Sequence, residues 1–208
     1  MLQIYRKYFL YFLVLVYVSG AIGFVLNPDF FLPFTPFTLL YTSFVFLIYQ
    51  PIHNLKYVIS FISVAIIGFV SEVIGVKTGM IFGNYTYGST LGFKFLEVPL
   101  TISLNWALLA SACILISSYI SSNRMVISII TALMATSIDF LIEQVAPGLD
   151  FWKFAEGMAG WHNYLGWILV SFVAAFLFVP ILKTGNKKIA LIIIALQVLF
   201  FLYIYLIP

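Results

Sequence analysis

The 208-residue sequence is 63% hydrophobic and only 8% charged, with a mean hydropathy of +1.13. A soluble domain carries about 25% charged residues, so the outer surface of this chain must face hydrocarbon instead of water. The net charge of +3, with never more than two basic residues in a row, excludes a nucleic-acid-binding tail, and a single cysteine, Cys113, excludes an internal disulfide framework.

The first element follows Arg6 and Lys7. Ser19-Gly20-Ala21 has the form of a signal-peptide cleavage site, but the apolar run continues through Leu26, too long for a signal core, and reads as a retained helix. Further apolar runs predict helices at 37–49, 57–74, 98–120, 125–145, 163–182 and 188–207, after the first at 8–26. The second is short, with Pro33 and Pro36 shaping its start, and Pro28, Pro51 and Pro99 fall near helix ends, where proline is tolerated. No internal repeat, linker or low-complexity tract divides the chain. The expectation is an all-α integral membrane protein, a bundle of about seven transmembrane helices forming a single domain over residues 1–208.

Basic residues set the expected orientation. Arg6, Lys7, Lys56, Arg124, Lys183, Lys187 and Lys188 fall at one end of the bundle, and Lys77, Lys94 and Lys153 at the other. The positive-inside rule then puts the N-terminus in the cytoplasm and the C-terminus outside, in a bacterial inner membrane. Every carboxylate falls in the outer half. Two longer outer loops stand out. Residues 75–97 are rich in glycine and aromatics, as suits a segment dipping into the interface under cover of protein. In residues 146–162, Phe151, Trp152, Phe154 and Trp161 can lie flat at the headgroups. The spacing Gly75-x3-Gly79-x3-Gly83 has the form of a helix-packing motif.

Ionisable residues within membrane helices are costly and default to function. Glu72 lies near the outer end of the third helix, in apolar surroundings that suit a proton donor. Asp139 and Glu143, four apart on the fifth, share one face, and two carboxyl groups that close share a proton more readily than both ionise. The plain alternative is that Glu72 and Glu143 are solvated at the water boundary. Asn105 and Trp106 can join helices by hydrogen bonds. His162 and Asn163 open the sixth helix, where a histidine is most often a surface or capping residue. Asp139, Glu143 and His162 include metal-ligating types, but their spacing specifies no metal. With only His53 and His162 in the chain, a histidine-rich di-iron oxygenase is excluded. No GxGxxG or Walker motif is present, and the last helix holds no interior lysine for a retinal Schiff base.

The run Gly79-Met-Ile-Phe-Gly83-Asn-Tyr85-Thr-Tyr87-Gly88-Ser-Thr-Leu91-Gly92, followed by Val98-Pro99-Leu100 and Asn105-Trp106, resembles the CruF-type family of membrane carotenoid hydratases. Asp139-Phe-Leu-Ile-Glu143, Phe151-Trp152 and Asn163-Tyr-Leu-Gly166-Trp167 resemble that family's second signature region. The likeness covers roughly residues 68–170. Glu97 departs from the small residue expected before Val98-Pro99, and the chain is shorter than many family members.

The resemblance implies a carotenoid 1,2-hydratase, which adds water to the terminal double bond of an acyclic end group of a lycopene- or gamma-carotene-type substrate and needs no cofactor. Protonation of the alkene gives a tertiary carbocation, which water captures. Glu72 or Asp139 is then the proton donor, and the other, with Glu143, handles the water. Tyr85, Tyr87, Asn105, His162 and Asn163 are candidates for binding substrate or water, and Trp106 and Trp167 for lining the cation pocket. Two competing readings remain open. One is a cofactor-free polyene cyclase or isomerase; the other is a non-catalytic lipid- or pigment-binding protein. The particular carotenoid and the oligomeric state are not legible.

Overall fold

The structure, a computed structural model, describes residues 2–207. Among the described residues, seven helices are long and apolar enough to cross a membrane. They are α1 (Leu2–Leu26), α3 (Thr35–Ile48) preceded by the short α2 (Pro28–Phe31) and a 3-10 turn at Leu32–Phe34, α4 (Leu55–Thr78), α5 (Leu100–Ser117), α6 (Arg124–Glu143), α7 (Trp161–Leu182) and α8 (Lys187–Leu206). These match the seven runs predicted from the sequence. Pro28 and Pro36 each sit in the first turn of their helices, and Pro99 caps α5. At the end of the bundle rich in lysine and arginine, all three connections use one device. Asn54, Asn123 and Asn186 cap α4, α6 and α8, each side chain accepting a hydrogen bond from a backbone N–H of the first turn.

Burial sorts the helices. In α5 every residue from Trp106 to Leu115 is buried, as expected of a helix apolar all round and enclosed by others. Helices α4, α6, α7, α3 and α8 all pack on α5, while α1 lies further out, against α3 and α8. The outward faces carry Leu15, Ile59, Ile66, Leu133, Leu169 and similar exposed apolar side chains, a surface made for lipid.

The long-loop end holds an unexpected feature. Helix α4 runs to Thr78, a turn beyond the predicted end, and stops at Gly79, whose φ of +68° ends it in the left-handed conformation. Strand β1 (Tyr85–Tyr87) then pairs antiparallel with β4 (Trp152–Phe154), with Tyr85 opposite Phe154 and Tyr87 opposite Trp152. A second small pair, β2 (Lys94–Phe95) with β3 (Val98–Pro99), leads into α5. The glycine spacing at 75, 79 and 83 therefore serves a turn instead of a helix–helix contact. Gly75 leaves room for Phe82, whose ring lies 2.6 Å from where a Cβ would stand, while Gly79 and Gly83 both take positive φ.

Of the four aromatic residues expected to lie at the headgroups, Trp161 alone is largely exposed, at 64%. Phe151 is buried, and Trp152 and Phe154 turn inward under the strand pair.

Candidate functional site

Three carboxyl groups meet beneath β1 and β4. Glu72 comes from α4 and is 4% exposed; Asp139, from α6, is 1% exposed. Glu143 lies one turn further along α6 and is partly buried. Charged side chains this deep persist only where other groups hold them, and each has named partners. Glu72 accepts hydrogen bonds from three donors: Trp106 Nε1 on Oε1 at 2.8 Å, and on Oε2 the hydroxyls of Tyr87, at 2.7 Å, and Tyr85. Asn163 Nδ2, from the first turn of α7, donates to both Asp139 Oδ2 at 2.9 Å and Glu143 Oε1 at 3.1 Å. Trp152 Nε1 donates to Glu143 Oε2 at 3.0 Å. Of the six carboxyl oxygens, Asp139 Oδ1 alone has no hydrogen-bond donor among the described residues.

Local sequence explains how these groups converge. The alternation Tyr85-Thr86-Tyr87 sends both phenols to one face of β1, and Trp152-Lys153-Phe154 does the same for its aromatics on β4. In this register all four aromatic side chains point at the carboxylates, while Thr86 and Lys153 face out. Burial first, then the neighbouring Glu72 charge, pushes both phenols well above the ordinary tyrosine range, so they remain proton donors in hydrogen bonds. Trp106 packs where α4 has no side chain: a Cβ on Gly68 would stand 2.3 Å from its ring. Trp106 and Trp167 stack with centroids 3.9 Å apart. Gly166 lets α7 approach until its Cα region meets the Ile81 carbonyl and the Phe82 ring.

These residues enclose a pocket of about 30 Å³, room for a water or two and little else. Glu72, Tyr85, Tyr87, Asn105, Trp106, Asp139, Glu143, Asn163 and Trp167 all line it, so nine of the ten candidate residues are brought together. His162 is not among them. It is exposed, stacks on Trp161 at 3.7 Å and borders a separate polar vestibule of about 230 Å³ with Glu156 and Asn84. Among the described residues, no group of three His, Cys, Asp or Glu side chains is placed to hold a metal ion.

Sequence reasoning missed Trp152, Phe154 and Phe82 as lining residues, and Ile102 and Ile142 at the pocket's apolar edge. The aromatic alternations at 85–87 and 152–154 hint at two short strands but say nothing of their pairing. Also missed was a second, larger cavity of about 310 Å³ between α1, α3 and α8, lined largely by apolar side chains. Ile102, Asn105, Ile142 and Trp152 line both spaces. Phe30, Phe34 and Phe37, which form part of its outer wall, are about half exposed on the flank of the bundle. A small acid chamber therefore adjoins a large apolar one, with four residues as the common wall.

A protein-family model described as carotenoid biosynthesis protein matches residues 34–207. A bisanhydrobacterioruberin hydratase from Haloarcula japonica is 25% identical over 174 residues, an alignment that covers 77% of this chain and 58% of that relative. The chain thus matches a little over half the length of that protein. No solved structure matches the chain.

Proposed function

Because this chain belongs to the carotenoid biosynthesis protein family, the one its motifs resemble, we propose that it is a hydratase acting on the acyclic end group of a carotenoid. The apolar end of the polyene lies in the large cavity, and its terminal double bond reaches the wall formed by Ile102, Asn105, Ile142 and Trp152. A water occupies the acid chamber behind that wall. The observation that carries this reading is the adjacency of an apolar, substrate-sized cavity to a water-sized pocket holding three carboxyl groups.

Asp139 is the proton donor. Its Oδ1 is the carboxyl oxygen without a donor from the protein, so an acidic proton there points to the alkene unopposed. The alkene π pair takes that proton at its less substituted carbon, leaving a tertiary cation and an Asp139 carboxylate. Glu72, with three donors fixed on it, is the standing anion that stabilises the cation, aided by the faces of Trp106 and Trp167. The water oxygen adds to the cation as Glu143 takes one of its protons. That proton returns to Asp139, one turn away, and resets the acid. The sum is addition of one water, with no redox change.

Asn163 holds Asp139 and Glu143 in register, while Tyr85, Tyr87 and Asn105 order the water and the cation site. His162, outside the chamber, borders the vestibule from which water is supplied. The same reading takes the chain as a single domain in the bacterial inner membrane, N-terminus in the cytoplasm, with the acid chamber near the outer face.

The test is expression in a lycopene-producing bacterium with mass analysis of the extracted pigment. A product heavier by one water is expected. Asp139→Asn and Glu72→Gln are each expected to cut its formation by roughly 10²–10³-fold while the protein remains folded. Undiminished hydration in folded Asp139→Asn protein removes it as the acid. A pigment of unchanged mass but altered spectrum replaces hydration by cyclisation or isomerisation.

A further inference from the structure

Four residues stand between the apolar cavity and the acid chamber, and three of them have little freedom to do chemistry. Ile102 and Ile142 offer only hydrocarbon. The one polar side-chain atom of Trp152, Nε1, is committed to Glu143 Oε2 at 3.0 Å. Asn105 is the fourth. Its neighbour Trp106 donates across to Glu72 on α4, whereas the Asn105 amide has no hydrogen-bond partner among the described residues. The helix-joining role expected of both residues therefore falls to Trp106. Asn105 is also only partly buried, although α5 is buried without a break from the next residue to Leu115. It is the one free polar side chain of the wall, and it borders both spaces. A primary amide in such a place is completed by water or by a bound molecule.

We propose that Asn105 is the positioning residue that decides the fate of the carbocation, turning it toward water and away from proton loss. The inference rests on the proposed hydration and names the residue that selects its product. A tertiary cation has two exits. In one, a water oxygen adds its lone pair to the empty orbital. In the other, a neighbouring C–H bond gives its electron pair to a new double bond and its proton to a base. Glu143, which takes a proton from water in the first exit, serves equally as the base in the second, and the proton returns to Asp139 in either case. The second exit restores the alkene or moves it by one bond, with no change in composition. What separates the two is whether a water oxygen already faces the cation. The chamber has room for a water or two. A water that gives one hydrogen to Glu143 and the other to Asn105 Oδ1, directly or through the second water, turns its lone pairs toward the apolar cavity, where the cation forms. An apolar side chain in place of the amide leaves the water free to rotate, and proton loss overtakes capture.

The experiment incubates the purified chain in detergent with unlabelled lycopene in D2O and analyses the pigment by mass. Asp139 then delivers deuterium, which marks both exits. Capture by water gives an alcohol with deuterium bound to carbon, and proton loss from a neighbouring methyl group gives an alkene with deuterium but no added oxygen. The native chain is expected to form the alcohol in excess. Asn105→Leu, close to the native side chain in shape, is expected to lower the ratio of alcohol to labelled alkene at least about tenfold, the factor that one hydrogen bond carries. Thermal unfolding reports whether the variant is folded, and Asn105→Val decides by the same ratio if it is not. An unchanged ratio in folded variant protein overturns the role of Asn105. So does loss of alcohol and labelled alkene together, since the amide then serves formation of the cation or the shape of the chamber and not the choice of product. Both of these leave the hydratase reading standing, because the native chain still makes alcohol. A native chain that forms no alcohol overturns that reading, and the role of Asn105 with it.

Discussion

Replacing Gly166 by alanine tests whether the acid chamber depends on the closeness of α7 to the first long loop. A Cβ at this position would stand 2.3 Å from the carbonyl oxygen of Ile81 and 2.7 Å from Phe82 Cδ1. The first neighbour is backbone and cannot turn aside, so α7 and the loop must separate by about 0.7 Å before the contact becomes even barely tolerable. Overpacking of this kind costs roughly 1–3 kcal/mol, and a backbone neighbour places it at the upper end. For a chain of this size that lowers Tm by roughly 6–12 °C.

The effect on chemistry is larger, because Asn163 and Trp167 ride on the same stretch of helix. The Asn163 bonds to Asp139 and Glu143, at 2.9 and 3.1 Å, do not survive such a displacement. Misplacement of about 1 Å costs on the order of a hundredfold in rate. Thermal unfolding in detergent and pigment hydration in cells read the two effects. Gly148→Ala, whose nearest neighbour is Val145 O at 3.5 Å, serves as the control and is expected to change stability by no more than about 0.5 kcal/mol. A Gly166→Ala protein with native Tm and undiminished hydration refutes the reasoning, since the positions of Asn163 and Trp167 would then not depend on this contact.

Asp150 clamps the strand pair: at a φ of +53° its Oδ2 accepts from Ser89 N at 2.7 Å and Ser89 Oγ at 2.9 Å. The backbone hydrogen bond from Ser89 holds its carboxyl below the ordinary aspartate range. A lowered folded-state value means stability present above the unfolded pKa of about 3.9 and lost as pH falls through the folded one. Asparagine tolerates the same backbone, so the Tm advantage of native protein over Asp150→Asn is expected to be full at neutral pH and to shrink in strong acid. An advantage equal at both ends of the range refutes the clamp's charge. For orientation, a membrane-impermeant maleimide is expected to label Lys153→Cys in intact spheroplasts and Thr184→Cys only after lysis. Buried Cys113 adds no background, and the reverse pattern overturns the N-in reading.

How much of this was legible in the sequence depended on the range of the interaction. The seven spans come from runs of apolar residues, a local property, and they are where expected. Glu72 and Asp139 were conspicuous because carboxylates within apolar helices are costly, and the spacing of Asp139 and Glu143 places them on one face of α6. The pairing of β1 with β4 was not legible. Three-residue strands carry little periodicity, and their register is fixed by helices α4, α6 and α7 that bring the loops together. Trp152 therefore read as a headgroup aromatic, although it donates to Glu143. The large cavity escaped notice for a different reason. Phe30, Phe34 and Phe200 have the same composition whether they face lipid or an internal space. His162 and Asn163 are adjacent in sequence, but the rotation of about 100° between neighbouring helical residues sends the first to the vestibule and the second to the carboxylates.

The donors that hold the buried carboxyl groups all come later in the chain than the acids they serve. Glu72 waits for Tyr85, Tyr87 and Trp106, 13, 15 and 34 residues further on. Glu143 waits 9 residues for Trp152, and Asp139 waits 24 for Asn163. At about 5–20 residues per second, ribosomes make Trp106 several seconds after Glu72. Each acid therefore reaches the bilayer as a bare side chain, with nothing from the protein to offset the cost of leaving water. The order of synthesis makes α4 and α6 the reluctant helices of biogenesis, and the arrival of α7 the event that closes the chamber.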